Sequence, residues 1–493
     1  MRRILASLVM AAAVTLAGCN LDLTNPNSPT SEGAKANPRI ASGRFINGVL
    51  ATYRVNRTDQ IRALGSFGRE TYYMFITDGR FITGPLRDWR QNNAFDAGTQ
   101  WAGRYGNYRN AYQAIKFIDS IPTDPKPGQP LTLRAEEKAG ARGVLKTFIA
   151  LDMLHVIEAR GPIGAVVAIS DDPTEVFPLV SEDSVYKWIA AKLDDADAEL
   201  AADTLAVFHF PVYAGFSSGI TPSAATPAGF RQLNRAIKAR AEVEHATAGC
   251  GLTCYTAALT ALTGTWIATP TPAPGNLGVG VYSIYSTAAG DFSNNAANTG
   301  SLGGDLYVHP GIDAISGVAN DARYTRKLSP VTCGTTPDDA RSEAGVSSTH
   351  RPCTYATTST TIPIIRNEEL VLLRAEAEWF TGNTAGANTD LAAVRTASGG
   401  ATPAIRFPTP AVDSEFVIEL LLQRTLSLYQ EGHRWIDYRR FNRLADIGKL
   451  PQDTLAGFTP ATMIPLPSQE CDSHNRAGNP GGIPKSCAGN PIP

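Results

Sequence analysis

Three groups of residues in this chain have the types and spacing that chemistry asks for. The first is Glu431, Arg434, Asp437 and Arg440, acids and bases alternating at intervals of three. On a helix continuing through Gly432, that spacing puts neighbours on one face, where opposite charges pair. A carboxylate held that way keeps its charge, which suits architecture better than proton donation at neutral pH. Glu368, Glu369, Glu376 and Glu378 read the same way.

The second group is His245, Cys250 and Cys254. As zinc ligands they number only three, Gly249 and Gly251 suit a turn, and paired cysteines in an oxidising compartment join to each other. No metal and no cofactor is expected.

The third group lies outside strong helical periodicity, between residues 66 and 101. It holds Arg69, Tyr72, Tyr73, Phe75, Asp78, Arg80, Arg87, Asp88, Trp89, Arg90, Asn92, Asn93 and Trp101. Aromatic planes stack on the C–H faces of a pyranose ring, while Arg, Asn and Asp side chains meet its hydroxyls. Tyr282, Tyr285, Asn294, Asn295 and Tyr307 add the same mixture later in the chain. Trp89, between Asp88 and Arg90 and followed by Asn92 and Asn93, is the best single stacking platform. Arg80, Arg87, Asn92, Asn93, Tyr72, Tyr282 and Tyr307 complete the expected ligand-binding set. The plainer reading, that these aromatics fill a core or line a protein interface, holds for any one of them.

Signatures of catalysis are absent. There is no Gly-x-Ser-x-Gly elbow, no His-Glu-x-x-His helix and no phosphate-binding glycine loop. A glycosidase needs two carboxyls flanking the scissile bond, one with a raised pKa, and no local pattern singles out such a pair. His155 and His209 read as packed or surface residues, not ligands. Binding is expected in place of catalysis, with a surface glycoside hydrolase as the rival.

The elements that would position these residues begin with an export segment. Arg2 and Arg3 precede an uncharged apolar run, Ile4 to Ala17, shorter than the roughly 20 residues that cross a bilayer. Leu16-Ala17-Gly18-Cys19 follows the lipobox pattern, so residues 1–18 read as a lipoprotein signal peptide and Cys19 as the acylated first residue. Residues 19–38, rich in Asn, Pro, Ser and Thr, read as an extended tether. A net charge of −2 with no basic block argues against a nucleic-acid partner. The other six cysteines fall into sequence-local pairs, Cys250 and Cys254, Cys333 and Cys353, Cys471 and Cys487, as three disulfides would.

From 39 to 262 helical periodicity dominates, over 134–158, 184–200 and 230–246, with Ser181 or Asp183 available to cap the second. Between 263 and 362 Gly, Thr, Ser, Asn and Pro accumulate; Val279 to Tyr285 and Leu306 to His309 read as strands. Such an irregular segment inside a folded chain is usually functional. From 363 to 493 helices resume: Asn367 to Phe380, then about Asp390 to Gly399, a helix pair with the length of one tetratricopeptide unit of about 34 residues. Residues 413–443 read as one long helical region, before a Pro- and Gly-rich tail.

Three C-terminal stretches resemble the SusD/RagB family. They are Ile365-Arg366-Asn367-Glu368-Glu369-Leu370 running into Leu373-Arg374-Ala375-Glu376-Ala377; Gln423-Arg424 with Tyr429-Gln430-Glu431-Gly432-His433-Arg434-Trp435-Ile436-Asp437-Tyr438-Arg439-Arg440; and Ile464-Pro465-Leu466-Pro467 with Glu470. The lipobox leading into Asp22, Leu23, Asn25 and Pro26 is similar to the family's start. One departure is Gln423, where the family usually carries an acid, which puts a local ion pair in doubt.

The resemblance implies a mostly α protein: a tetratricopeptide-like scaffold of four helix pairs with an irregular, loop-rich ligand-binding subdomain. It implies a surface-exposed, lipid-anchored protein of the bacterial outer membrane that binds an oligosaccharide without cleaving it. It also implies a partner, a SusC-type TonB-dependent receptor over which the protein sits as a lid. A peptide or other polymer as ligand, or a purely structural lid, are the alternatives within the same fold.

Overall fold

The computed structural model of the chain describes residues 31–75, 78–87, 99–125, 131–172, 174–217, 219–267, 276–298, 306–334, 340–447, 453, 461–474 and 487. The signal segment, Cys19 and the start of the tether lie outside them. Within the expected extended tether, Ser31–Ala36 is instead a short helix, α1.

The first half is helical: α2 (Pro38–Phe67), a short strand β1 (Thr71–Tyr73), α3 (Arg80–Arg87), α4 (Thr99–Ser120), α5 (Ala135–Arg160), α6 (Glu182–Ala202), α7 (Ala214–Ser217), α8 (Pro227–His245) and α9 (Leu252–Thr263). Then come β2 (Gly280–Ser283), β3 (Leu306–Val308), α10 (Pro310–Asp313), α11 (Ala322–Lys327), β4 (Arg341–Glu343), β5 (Val346–Ser348) and β6 (Ile362–Arg366). The chain closes with α12 (Asn367–Phe380), α13 (Thr384–Gly399), α14 (Asp413–Ser427), α15 (Arg434–Arg440) and α16 (Ser468–His474).

Helices α2, α4, α5, α6, α8, α9, α12 and α13 pack each on the next, forming four pairs: α2/α4, α5/α6, α8/α9 and α12/α13. The mostly α, tetratricopeptide-like reading is thus what the structure has. Helix α5 is the centre. Leu145, Phe148, Leu151, Met153, Leu154 and Ile157 are buried on several of its faces, as expected of a helix with neighbours all round. Each such side chain contributes roughly 1.5–3 kcal/mol on burial. The Glu137 carboxylate accepts the Arg134 N–H (2.9 Å) at its start, and Gly161, at φ +52°, ends it before Pro162. Ser181, one of the two cap candidates, caps α6 by accepting the Ser184 N–H (3.3 Å).

The segment 263–362 is tied to both flanks by its strands. Its β3 pairs antiparallel with β1, setting Tyr307 opposite Tyr72; its β2 pairs antiparallel with β6, which runs straight into α12. Strands β4 and β5 form a hairpin. Disulfides join Cys250 to Cys254, Cys333 to Cys353, and Cys471 to Cys487.

Two element boundaries differ from expectation. Helix α13 starts at Thr384, not near Asp390, because Asn383 caps it by accepting the Gly386 N–H (3.1 Å). The expected long helix over 413–443 is broken between α14 and α15. Gln430 and Gly432 take φ of +59° and +78°, a left-handed conformation that no α-helix contains. Tyr355 Oη, donating to Gln430 O (2.9 Å), and Glu70 Oε1, accepting the Gln430 N–H (3.2 Å), hold the break in place.

Candidate ligand-binding site

The early aromatic segment and the later insert do meet, at the β1–β3 pair, but their tyrosines face inward. Tyr72 and Tyr307 are 1% and 2% exposed and pack with Met74, Ile82, Leu86 and Val346. Tyr72 donates to Asp453 Oδ1 (2.5 Å), which also receives His309 on its other oxygen (2.9 Å). The Arg351 guanidinium lies 5.2 Å from the Tyr307 ring and donates to its hydroxyl (3.1 Å). Neither ring offers a face to solvent. As stacking platforms they are corrected to core residues, because both faces of this strand pair are covered.

Arg80 stays exposed at the start of α3, forked onto Asp78 at 2.8 and 2.6 Å, and those hydrogen bonds hold the Asp78 carboxyl below its usual range. Tyr282 is half-buried on the separate β2–β6 sheet and donates to Gly278 O. Arg87 ends α3, but its side chain, together with Trp89, Asn92 and Asn93, falls outside the described residues.

Helix α4 begins at Thr99, directly after residues 88–98. On it, Trp101, buried at 5% exposure, and the half-buried Tyr105, ring centroids 4.6 Å apart, line the base of a cleft of about 340 Å³, where Tyr105 is the ring with the more accessible surface. Arg109, Glu175, Phe177 and Glu470 complete its wall. Sequence reasoning included Trp101 in the aromatic segment and Glu470 in a motif, but missed Tyr105, Arg109, Glu175 and Phe177. The first two lie on α4 with no motif to mark them, and the last two come from a loop about 70 residues on; only the fold brings them together.

The floor is fixed. The Tyr105 hydroxyl donates to Val166 O (2.7 Å) and accepts from Val166 N–H (3.0 Å). Burial, helped by the Glu470 charge, pushes that phenol well above its ordinary value, so it stays neutral and its ring is what it can present. The buried Arg160 guanidinium lies 5.3 Å from the Trp101 ring; burial lowers its pKa to about 9, so it remains a cation at neutral pH. Arg109 donates to Asp171 O (3.1 Å). Aromatic floor, guanidinium and carboxylates together suit a hydroxyl-rich ligand with apolar ring faces.

The carboxyls that burial pushes up lie elsewhere. Glu70, raised to about 8, Asp152, Glu158 and Glu244 are 5% exposed or less, and burial also raises Asp203, to about 6, and the half-buried Glu182, Asp313 and Glu378. None of them lines the cleft.

The charged run at 431–440 is buried architecture. Glu431 accepts from Arg366 (2.8 Å), Arg434 donates to the carbonyls of Gly68 and Arg69 (2.6 and 2.7 Å), and Asp437 bridges Arg424 and Arg440 (2.7 and 3.0 Å). Arg440 reaches on to Glu376 (2.6 Å). Since the helix does not run through Gly432, Glu431 joins this network through a turn and not by helical spacing. Glu369 forks onto Arg240 at 2.6 and 2.8 Å, and Arg366 with Lys327 holds Glu368 down to about 2 against its burial. His155 and His209 are packed: His155 bonds Glu158 (2.6 Å) and His209 bonds Ser42 (2.9 Å).

Residues 341–478 match the SusD family. Similar solved structures include NanU of B. fragilis, 13% identical with a TM-score of 0.60, over 90% of this chain and 96% of that one. A SusD superfamily protein from Bacteroides vulgatus is 12% identical with a TM-score of 0.62, over 88% and 97%. A SusD/RagB family protein from Bacteroides thetaiotaomicron is 13% identical with a TM-score of 0.58, over 91% and 99%. At these identities the structures speak for the fold. No curated protein sequence matches the chain.

Proposed function

From the match of residues 341–478 to the SusD family and a fold similar to SusD superfamily structures, we propose that the chain is a nutrient-binding lipoprotein of the outer membrane. Anchored through Cys19, it holds an oligosaccharide and passes it to a SusC-type TonB-dependent receptor, breaking no bond. The observation that carries this reading is the cleft lined by Trp101, Tyr105, Arg109 and Phe177, on the helix that follows Trp89, Asn92 and Asn93 in the sequence. At about 340 Å³ it lies at the small end of the roughly 300–1,000 Å³ common for ligand sites. Arg80, Arg87 and Tyr282 stay in the proposed set; Tyr72 and Tyr307 leave it. Many copies beside a pore raise the local ligand concentration, so modest affinity suffices.

The test is a glycan array and a peptide pull-down on the purified protein, with products assayed. Binding of a glycan family without release of fragments is expected. Trp89→Ala and Phe177→Ala should each weaken it, by roughly 2- to 12-fold if each ring stacks on a sugar. Capture of peptides alone would reassign the ligand class, and accumulating product would make the protein a hydrolase. Co-purification of a β-barrel receptor checks the partner.

A further inference from the structure

Between α8 and α9 the chain makes a wide turn, Ala246–Cys250, with Gly249 at φ +120° and Gly251 at φ +63°. It brings Cys250 and Cys254 to a Cα separation of 5.7 Å, where they are joined. His245, the last residue of α8, is buried and stacked on Tyr186, ring centroids 5.3 Å apart and 12° from parallel. Its Nε2 lies 2.9 Å from Asp183 Oδ1 and its Nδ1 3.2 Å from Cys254 Sγ. The carboxylate accepts a hydrogen bond from Nε2–H, which leaves the Nδ1 lone pair directed at sulfur. A carboxylate behind an imidazole in this way is the usual support of a metal-bound histidine.

Atoms of His245, Cys250 and Cys254 lie within 4.8 Å of one another. Tetrahedral zinc, with Zn–S near 2.3 Å and Zn–N near 2.0 Å, keeps its ligands roughly 3.3–3.8 Å apart. Once the S–S bond is open, small side-chain rotations reach that spacing. We propose that this turn is a redox-gated site for a thiophilic divalent cation such as Zn²⁺: closed as a disulfide, open as two thiolates and the His245 imidazole. A dithiol reductant supplies two electrons, the S–S bond breaks, each sulfur takes a proton, and the dithiol becomes its own disulfide. The cation then displaces both thiol protons to solvent. Two thiolates cancel its charge, which favours binding in a half-buried place. A water or an added ligand takes the fourth position. The two readings of these cysteines, staple and ligand, become two redox states of one turn.

The full chain in detergent, reduced with a dithiol and desalted without air, is titrated with Co²⁺ as a coloured stand-in for Zn²⁺. The expected result is one Co²⁺ per chain, with thiolate charge-transfer and tetrahedral absorption bands, in the reduced protein and none in the oxidised one. Asp183→Asn should weaken binding about 10- to 100-fold, and His245→Ala at least as much. Without any substitution, Zn²⁺ should shield Cys250 and Cys254 from alkylation, read by mass spectrometry. Reduced protein that takes up no Co²⁺ overturns the proposal. So does shielding that falls on Cys333, Cys353, Cys471 or Cys487 instead.

Discussion

Buried charge dominates the chemistry of single residues here. Gln423 stands where the family resemblance leads one to expect an acid, and the structure shows how its neighbours manage. Its carbonyl accepts from Arg323 (2.7 Å), its amide donates to Glu419 (2.7 Å), and Arg323 takes its carboxylate from Asp321 (2.7 Å) instead. Arg240 and Glu369 form a pair without solvent, 0% and 1% exposed. Removing one member strands the other, so Arg240→Met should cost about 3–5 kcal/mol in urea unfolding, while Arg240→Met with Glu369→Leu recovers much of it. Glu70 poses the opposite case, since burial outweighs Arg434 and lifts its carboxyl from 4.5 to about 8. The folded chain therefore holds this proton more tightly than the unfolded one. That stabilisation is full below pH 4.5 and lost as pH rises through about 8. Glu70→Gln should melt close to the parent at pH 5 and above it at pH 9; a constant difference across that range would refute the assignment.

At the scale of elements, glycines separate packing from propensity. Gly48 in α2 has open space where a Cβ would sit, whereas a Cβ on Gly143 in α5 would lie 2.5 Å from Leu200 Cγ of α6. Gly48→Ala should thus stabilise by about 0.5–1 kcal/mol through helix propensity. Gly143→Ala should destabilise by about 1–3 kcal/mol by wedging α5 from α6. Thermal melts of the two variants moving in the same direction would show that this helix contact is not tight. Periodicity alone located α5, α6, α8 and α12 to within a few residues, since their apolar stripes and caps are local. It missed the break at Gln430 and Gly432, because what bends the chain there is Tyr355 and Glu70, distant in sequence.

On the scale of the whole molecule, the insert is stitched to the stack by β1–β3 and β2–β6 and closed on itself by Cys333–Cys353. Cys333→Ser with Cys353→Ser should lower stability by about 2–4 kcal/mol. Limited proteolysis should then nick between 333 and 353 first and leave the helix stack protected. Simultaneous loss of the stack would show the two parts to be one cooperative unit. The anchor proposed at Cys19 is tested separately: Cys19→Ser should shift the protein from the membrane fraction to the soluble one.

Helical class, the helices α5, α6, α8 and α12 and the C-terminal family motifs could be read from the sequence, because each depends on residues near one another in the chain. Which aromatic rings face a ligand could not. Tyr72 and Trp101 look alike as letters in one polar stretch, and the fold buries both: strand pairing seals the first, while the second packs under Arg160 and Tyr105 at the base of a cleft that Phe177 and Glu470 also line. Exposure is a property of what packs against a side chain, and those partners arrive from α16, from the loop after α5 and from the insert. Only their assembly in three dimensions decides it.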